Sequence, residues 1–169
     1  PTGSGKTTII NLMNRFYDID SGSILIDDVE INQYKKDQLR KKIGVVLQDT
    51  KLFAGTVYEN IVYGNHNATQ EEIEEAATLA NAHDFITRLP NGYESEVQEG
   101  GQNFSHGERQ LISIARTILS NPAILILDEA TSNVDTRTEF RIQKSMKTLM
   151  EGRTSFVIAH RLQTIRNAH

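Results

Sequence analysis

The sequence predicts an α/β fold built on a parallel sheet. Three observations carry that expectation. Short runs such as Ile43-Gly44-Val45-Val46-Leu47 and Ala123-Ile124-Leu125-Ile126-Leu127 are almost uniformly aliphatic, the composition of strands covered on both faces. Strand, helix and strand patterns alternate over 123–127, 135–150 and 155–159, which is the order of a right-handed parallel crossover. A glycine-rich turn leads straight into an amphipathic stretch at the start of the chain.

Each element has its own justification. After Gly3-Ser4-Gly5, the segment 6–16 carries Ile9, Ile10, Leu12, Met13 and Phe16 along one helical face. Residues 23–27 form a second aliphatic run, bounded by Gly22 and the Asp27-Asp28 pair, and 43–47 a third. Thr69-Gln70-Glu71-Glu72 has capping-box spacing and opens a Glu- and Ala-rich helix over 69–82, expected to face solvent. Leu111, Ile114, Ala115, Ile118 and Leu119 set a helix over 106–119, which Asn121-Pro122 ends. Gly152 closes the helix over 135–150 before the last strand, 155–159.

Composition narrows the class. At 169 residues the chain suits a single domain. A hydrophobic share of 38% with 24% charged residues is that of a globular protein. Eighteen basic against 22 acidic residues, a net charge of -4, weigh against a nucleic-acid surface. There is no cysteine for a disulfide or a thiolate metal site. No aliphatic run approaches the roughly 20 residues of a spanning helix.

Three segments carry chemistry. Pro1-Thr2-Gly3-Ser4-Gly5-Lys6-Thr7-Thr8 matches a P-loop whose first glycine would precede Pro1, so the chain reads as a piece of a longer protein. In such a loop the backbone N–H groups of Thr2, Gly3, Ser4, Gly5 and Thr8 curl around phosphate oxygens at a helix N-terminus, where the dipole favours negative charge. Lys6 then meets the β- and γ-phosphates and Thr7 the Mg²⁺ ion. Asp128-Glu129 closes an aliphatic strand, where parallel sheets place their ligand groups. Asn103-Phe104-Ser105-His106-Gly107-Glu108-Arg109-Gln110 puts a serine and a glycine just ahead of a long helix, a second helix start suited to an anion. Each segment alone also admits a plainer reading: an ordinary turn, a polar strand end, a capped helix start.

Their order and spacing resemble the ATP-binding domain of ABC transporters. Phe104-Ser105-His106-Gly107-Glu108 resembles the family's signature, usually Leu-Ser-Gly-Gly-Gln. Leu127-Asp128-Glu129 corresponds to the Walker B strand end, Ser132-Asn133-Val134-Asp135 to the D-loop, Ala159-His160-Arg161 to the switch histidine, and Gln48 to the Q-loop glutamine. A kinase, GTPase or RecA-like ATPase lacks the signature and the switch histidine. Two departures stand out: His106 replaces a glycine and Glu108 replaces the usual glutamine.

The resemblance implies a P-loop NTPase fold: a RecA-like core over residues 1–48 and 121–169, with a helical subdomain inserted at 49–120. It implies ATP and Mg²⁺ as cofactors, with Thr7, Gln48 and Asp128 at the metal. Glu129 would be the general base, and His160 the sensor of the γ-phosphate. It also implies a second ABC ATPase domain, paired head to tail, so that Ser105, His106, Gly107 and Glu108 meet the partner's nucleotide and Asp135 communicates across the interface.

Finer resemblance points to exporters. Gln48-Asp49-Thr50-Lys51-Leu52-Phe53-Ala54-Gly55-Thr56-Val57-Tyr58-Glu59-Asn60-Ile61 is similar to the Q-loop region of multidrug- and lipid-type exporters, and Glu96-Val97-Gln98-Glu99 to their X-loop. Both would touch a transmembrane domain, which places this domain on the cytoplasmic face of a membrane with no nucleic-acid partner. Chromosome-organising or repair ATPases interrupt the cassette with a long coiled coil, whereas Gln48 and Ser105 lie 57 positions apart. A translation-associated tandem cassette is the other alternative. Tyr17, Tyr58 and Tyr63 are expected to be packing residues, and His66 and His83 surface residues. With its neighbouring strands outside the sequence, the chain is expected to fold poorly alone.

Overall fold

The computed structural model describes residues 5–47, 49–129 and 134–159. Helix α1 covers Lys6–Met13, and a hairpin joins β1, Leu25–Ile26, to β2, Val29–Glu30. Helix α2, Lys36–Lys42, leads into β3, Ile43–Val46. A small antiparallel pair, β4 at Gly55–Thr56 and β5 at Glu96–Val97, brackets helices α3, Val57–Val62, α4, Gln70–Leu79, and α5, His83–Ile86. Helix α6, His106–Ser120, strand β6, Ile124–Glu129, helix α7, Thr136–Met150, and strand β7, Thr154–Ala159, follow.

Among the described residues the main sheet has three parallel strands in the order β3-β6-β7. Strand β6 lies in the middle, which is why it reads as continuously aliphatic. Its side chains divide between two cores. Leu125 and Leu127 join Val46, Leu111, Ile114, Ile142 and Leu149 on the α6/α7 face. Ile126 joins Leu39 and Ile43 on the other face, where Ile10 and Met13 of α1 pack against it. Leu125, Ile126 and Leu127 are at most 1% exposed, and each such burial is worth roughly 1.5–3 kcal/mol.

Several elements depart from the sequence reading. Helix α1 stops at Met13 rather than at residue 16, because Arg15 takes a φ of 50° and Phe16 is left 59% exposed. The run 23–27 contributes only two residues to a hairpin. Asp27 and Asp28 both take positive φ, the turn geometry that matches strand twist. Helix α4 is not simply a solvent-facing element: Ile73, Ala76 and Ala77 are buried, and the helix packs on α6. Its capping box is present as predicted, with Thr69 and Glu72 each accepting from the other's backbone N–H. Tyr17 and Tyr63 are 65% and 58% exposed rather than packed inside, while Tyr58 is half-buried against the main core. His66 is exposed as expected, but His83 is half-buried and its Nδ1 lies 2.9 Å from the hydroxyl of Tyr93.

Candidate functional site

The first phosphate-binding candidate is the start of α1. Gly5 occupies the N-cap position with φ +81°, no side chain caps the helix, and a Cβ at Gly5 would meet no heavy atom within 4 Å. No side chain of the described residues competes for the N–H groups of this first turn, the arrangement an anion needs. Thr8 is exposed on that turn. Thr2, Gly3, Ser4, Gln48 and His160 lie outside the described residues, as do the side chains of Lys6, Thr7 and Glu129.

Helix α1 packs through Ile10 and Met13 on the face of the sheet that holds Ile126, two positions before Asp128. Asp128 is half-buried, in register with Ile158 of β7, and Glu129 is in register with Ala159. The paired acids thus end the central strand of a sheet covered on both faces, which in parallel α/β folds is the ligand-binding edge. An open glycine helix start and a carboxylate at that strand end are a donor set that fits a nucleotide phosphate with Mg²⁺. Among the described residues no group of three or more His, Asp or Glu side chains offers any other metal site.

The start of α6 is built differently. Ser105 is its N-cap: the Ser105 oxygen accepts from the Glu108 backbone N–H at 3.3 Å, and the Glu108 carboxylate accepts from the Ser105 N–H at 2.9 Å. Glu108 thereby completes a capping box that a glutamine would also complete. Because the Ser105 oxygen is an acceptor in that bond, its own O–H stays available to donate. Arg109 donates to the Phe104 carbonyl at 2.7 Å and holds the turn in place. Asn103 accepts from the Gln98 N–H and donates to the Glu96 carbonyl, tying the loop of β5 to the segment before α6.

Gly107 is buried against the start of α7. A Cβ there would run into the γ-methyl of Thr138 and lie 3.4 Å from Val134. Asp135 caps α7, accepting from the Thr138 backbone N–H at 3.0 Å. The Thr138 hydroxyl and then that N–H hold the Asp135 carboxyl below the usual aspartate range. The structure therefore gathers Ser105, His106, Gly107, Glu108 and Asp135 in one corner.

A third cluster was not foreseen from the residues. Arg116 of α6 is half-buried and donates to the Asn60 carbonyl at 2.6 Å and to Asn60 Oδ1 at 2.7 Å. Desolvation is the main influence on its guanidinium, lowering its pKa. Asn60 in turn donates to the Phe53 and Thr56 carbonyls. The guanidinium lies 4.8 Å from the Phe53 ring centre, and the Phe53 and Tyr63 rings stand 4.9 Å apart, both more than half exposed. Asn60 and Arg116 are 56 positions apart, beyond the reach of periodicity arguments.

A parallel sheet with a glycine helix start on one face, paired acids on its central strand and a capped second helix start is the frame of the P-loop NTPase fold class. The comparisons give the family. The ABC transporter profile matches residues 1–132, and the chain belongs to the ABC transporter family. It is 55% identical over 168 residues to an uncharacterised ABC transporter ATP-binding protein, YfiC, of Bacillus subtilis, covering 99% of this chain and 28% of that protein. It is 56% identical to a fatty acid ABC transporter ATP-binding/permease protein of Mycobacterium bovis, covering 99% and 27%. An ATP-dependent lipid A-core flippase of Syntrophus aciditrophicus is 54% identical, with 99% and 28% covered. Among solved structures, a bacterial Atm1-family ABC exporter with ATP bound matches with a TM-score of 0.90 at 47% identity, over 99% of this chain and 29% of that one. The chain thus spans little more than a quarter of the length of these relatives.

Proposed function

We propose that this segment binds and hydrolyses Mg-ATP as one half of a head-to-tail pair of ABC ATPase domains, and that the pair powers export through a transmembrane domain from the cytoplasmic face of a membrane. The observation that carries the reading is the placement of Asp128-Glu129 at the end of the central strand, on a sheet whose face also carries the uncapped Gly5 helix start. The uninterrupted match to an ATP-bound exporter over 99% of the chain supports it further, since no long coiled coil divides the cassette.

In this reading Thr2, Gly3, Ser4, Gly5 and Thr8 offer backbone N–H groups to the phosphates, and Lys6 balances the β- and γ-phosphate charge. Thr7, Gln48 and Asp128 hold Mg²⁺, which when bound neutralises charge on the phosphate oxygens. Glu129 takes a proton from the attacking water as that water's oxygen bonds to the γ-phosphorus and ADP leaves. His160 contacts the γ-phosphate. Ser105 and Gly107 address the nucleotide held by the partner domain, flanked by His106 and Glu108, and Asp135 faces the partner's phosphate-binding loop. Residues 1–48 and 121–169 act as the core and 49–120 as the helical lobe. The exposed Phe53 and Tyr63, pinned from beneath by Arg116, belong to the surface that meets the transmembrane part.

The test is Glu129→Gln in the full-length protein. A positioned general base contributes about 10²- to 10⁴-fold, so ATP turnover should fall by that factor while ATP binding persists. Wild-type turnover in the variant removes Glu129 from its role. The exporter reading predicts several apolar stretches of about 20 residues elsewhere in the same polypeptide or in a co-purifying chain. A purified protein with neither ends it.

A further inference from the structure

We infer that Thr138 is a positioning residue that fixes the start of α6 to the start of α7, so that the Ser105-Gly107 segment and Asp135 present themselves to the partner domain as one rigid unit. The inference rests on the proposed pairing of two such domains. Its structural basis is that one residue makes both connections, its methyl reaching Gly107 and its backbone N–H reaching Asp135. The γ-methyl of Thr138 sits where a side chain on residue 107 would have to go, with the Thr138 Cβ 3.5 Å from that position. The Thr138 backbone N–H donates to Asp135 Oδ1 at 3.0 Å.

The consequence is geometric. Gly107 is buried and Thr138 half-buried, and α6 and α7 pack on each other. Packed interfaces of this kind switch between discrete arrangements rather than deform gradually, so the spacing between Gly107 and Asp135 is set by what fills the gap. Thr138 fills it from the start of α7, on the other helix of the pair. Its loss should therefore change how well the assembled site turns over, without changing how the chain's own phosphate-binding loop takes up ATP. Misplacing a reacting group by about 1 Å can cost on the order of 10²-fold in rate, and a loosened spacing costs part of that.

Two substitutions isolate the methyl. Thr138→Ser removes it and Thr138→Val keeps it. In the purified full-length protein in lipid, Thr138→Ser should lower kcat for ATP about three- to tenfold per ATP bound, with KM for ATP unchanged, while Thr138→Val stays close to the wild-type kcat. Wild-type kcat in Thr138→Ser, or an equal loss in both variants, overturns the inference. So does a loss that appears in KM alone, or one that vanishes when turnover is counted per bound ATP, since that is what reduced folding would produce. Absence of ATP hydrolysis by the wild-type protein would instead overturn the proposed function and this inference with it, which distinguishes the two failures.

Discussion

Two helix starts in this chain are read as phosphate-facing, and they are built on opposite principles. At α1, Gly5 stands in open space with a left-handed φ and no side-chain cap. At α6, Ser105 and Glu108 close a capping box, Arg109 ties down the Phe104 carbonyl, and Gly107 is wedged against Thr138. The first has no side-chain cap and leaves its start to a ligand. The second has the Ser105 and Glu108 N–H groups bonded internally and offers a preformed surface. Preformed surfaces suit docking onto something already held elsewhere, because less ordering entropy remains to be lost on contact.

The largest expected separation between the two comes from giving each glycine a methyl group. Gly107→Ala drives a Cβ into the Thr138 γ-methyl, an overpacking that typically costs about 1–3 kcal/mol. Because the obstruction is one side chain, the cost should shrink in a Thr138→Ala background, giving a coupling energy of at least about 0.5 kcal/mol in a double-mutant cycle. Additive effects on thermal or denaturant stability would show that Gly107 is not held by Thr138. Gly5→Ala meets no atom, so its cost is that of the left-handed backbone, about 1 kcal/mol, and no background substitution should relieve it. Equal rescue of both variants would erase the distinction drawn here.

A smaller effect separates the shape of the α6 start from its charge. Glu108→Gln preserves the capping box, since either side chain can accept from the Ser105 N–H. Stability should therefore stay within about 0.5 kcal/mol. ATP turnover should respond instead: removing a negative charge from a helix start that faces a phosphate lowers KM for ATP, and the difference should narrow as salt screens it. An unchanged KM at low ionic strength would mean that Glu108 is not directed at the nucleotide.

How much of this was legible in the residues depends on the range of the interaction. Strand β6 and helices α6 and α7 were readable because a buried central strand must be aliphatic and an amphipathic helix must repeat. The capping boxes at Thr69 and Ser105 involve residues three apart and so leave a local trace. The hairpin at 25–30 was read only as a strand, because two aspartates rather than glycines supply its positive φ values. Helix α4 was assigned to solvent because its Glu-rich face dominates the composition, although Ile73, Ala76 and Ala77 carry the packing face. Thr138 was invisible for a plainer reason: its meaning lies in Gly107, on another helix. The same holds for Arg116 and Asn60, where the exposed Phe53 and Tyr63 rest on a half-buried guanidinium that only the folded chain brings beneath them.

The smallest effect concerns the charge that joins α7 to this corner. Asp135 titrates below the usual aspartate range because the Thr138 hydroxyl and N–H favour its ionised form. A group whose folded pKa is depressed binds protons less readily in the native state than in the unfolded chain, so its contribution is present above the unfolded value, near 3.9, and is lost as pH falls through the folded one. In melting curves taken from pH 7 downward, the wild-type protein should thus lose its advantage over Asp135→Asn only below about pH 4, and the two should converge in stronger acid. Asparagine is itself a good cap, so the difference at neutral pH should be slight and its pH dependence the informative part. A constant gap from pH 7 to the acid limit would place the stabilisation in the cap's shape alone, and the link between Asp135 and Thr138 would then carry no charge.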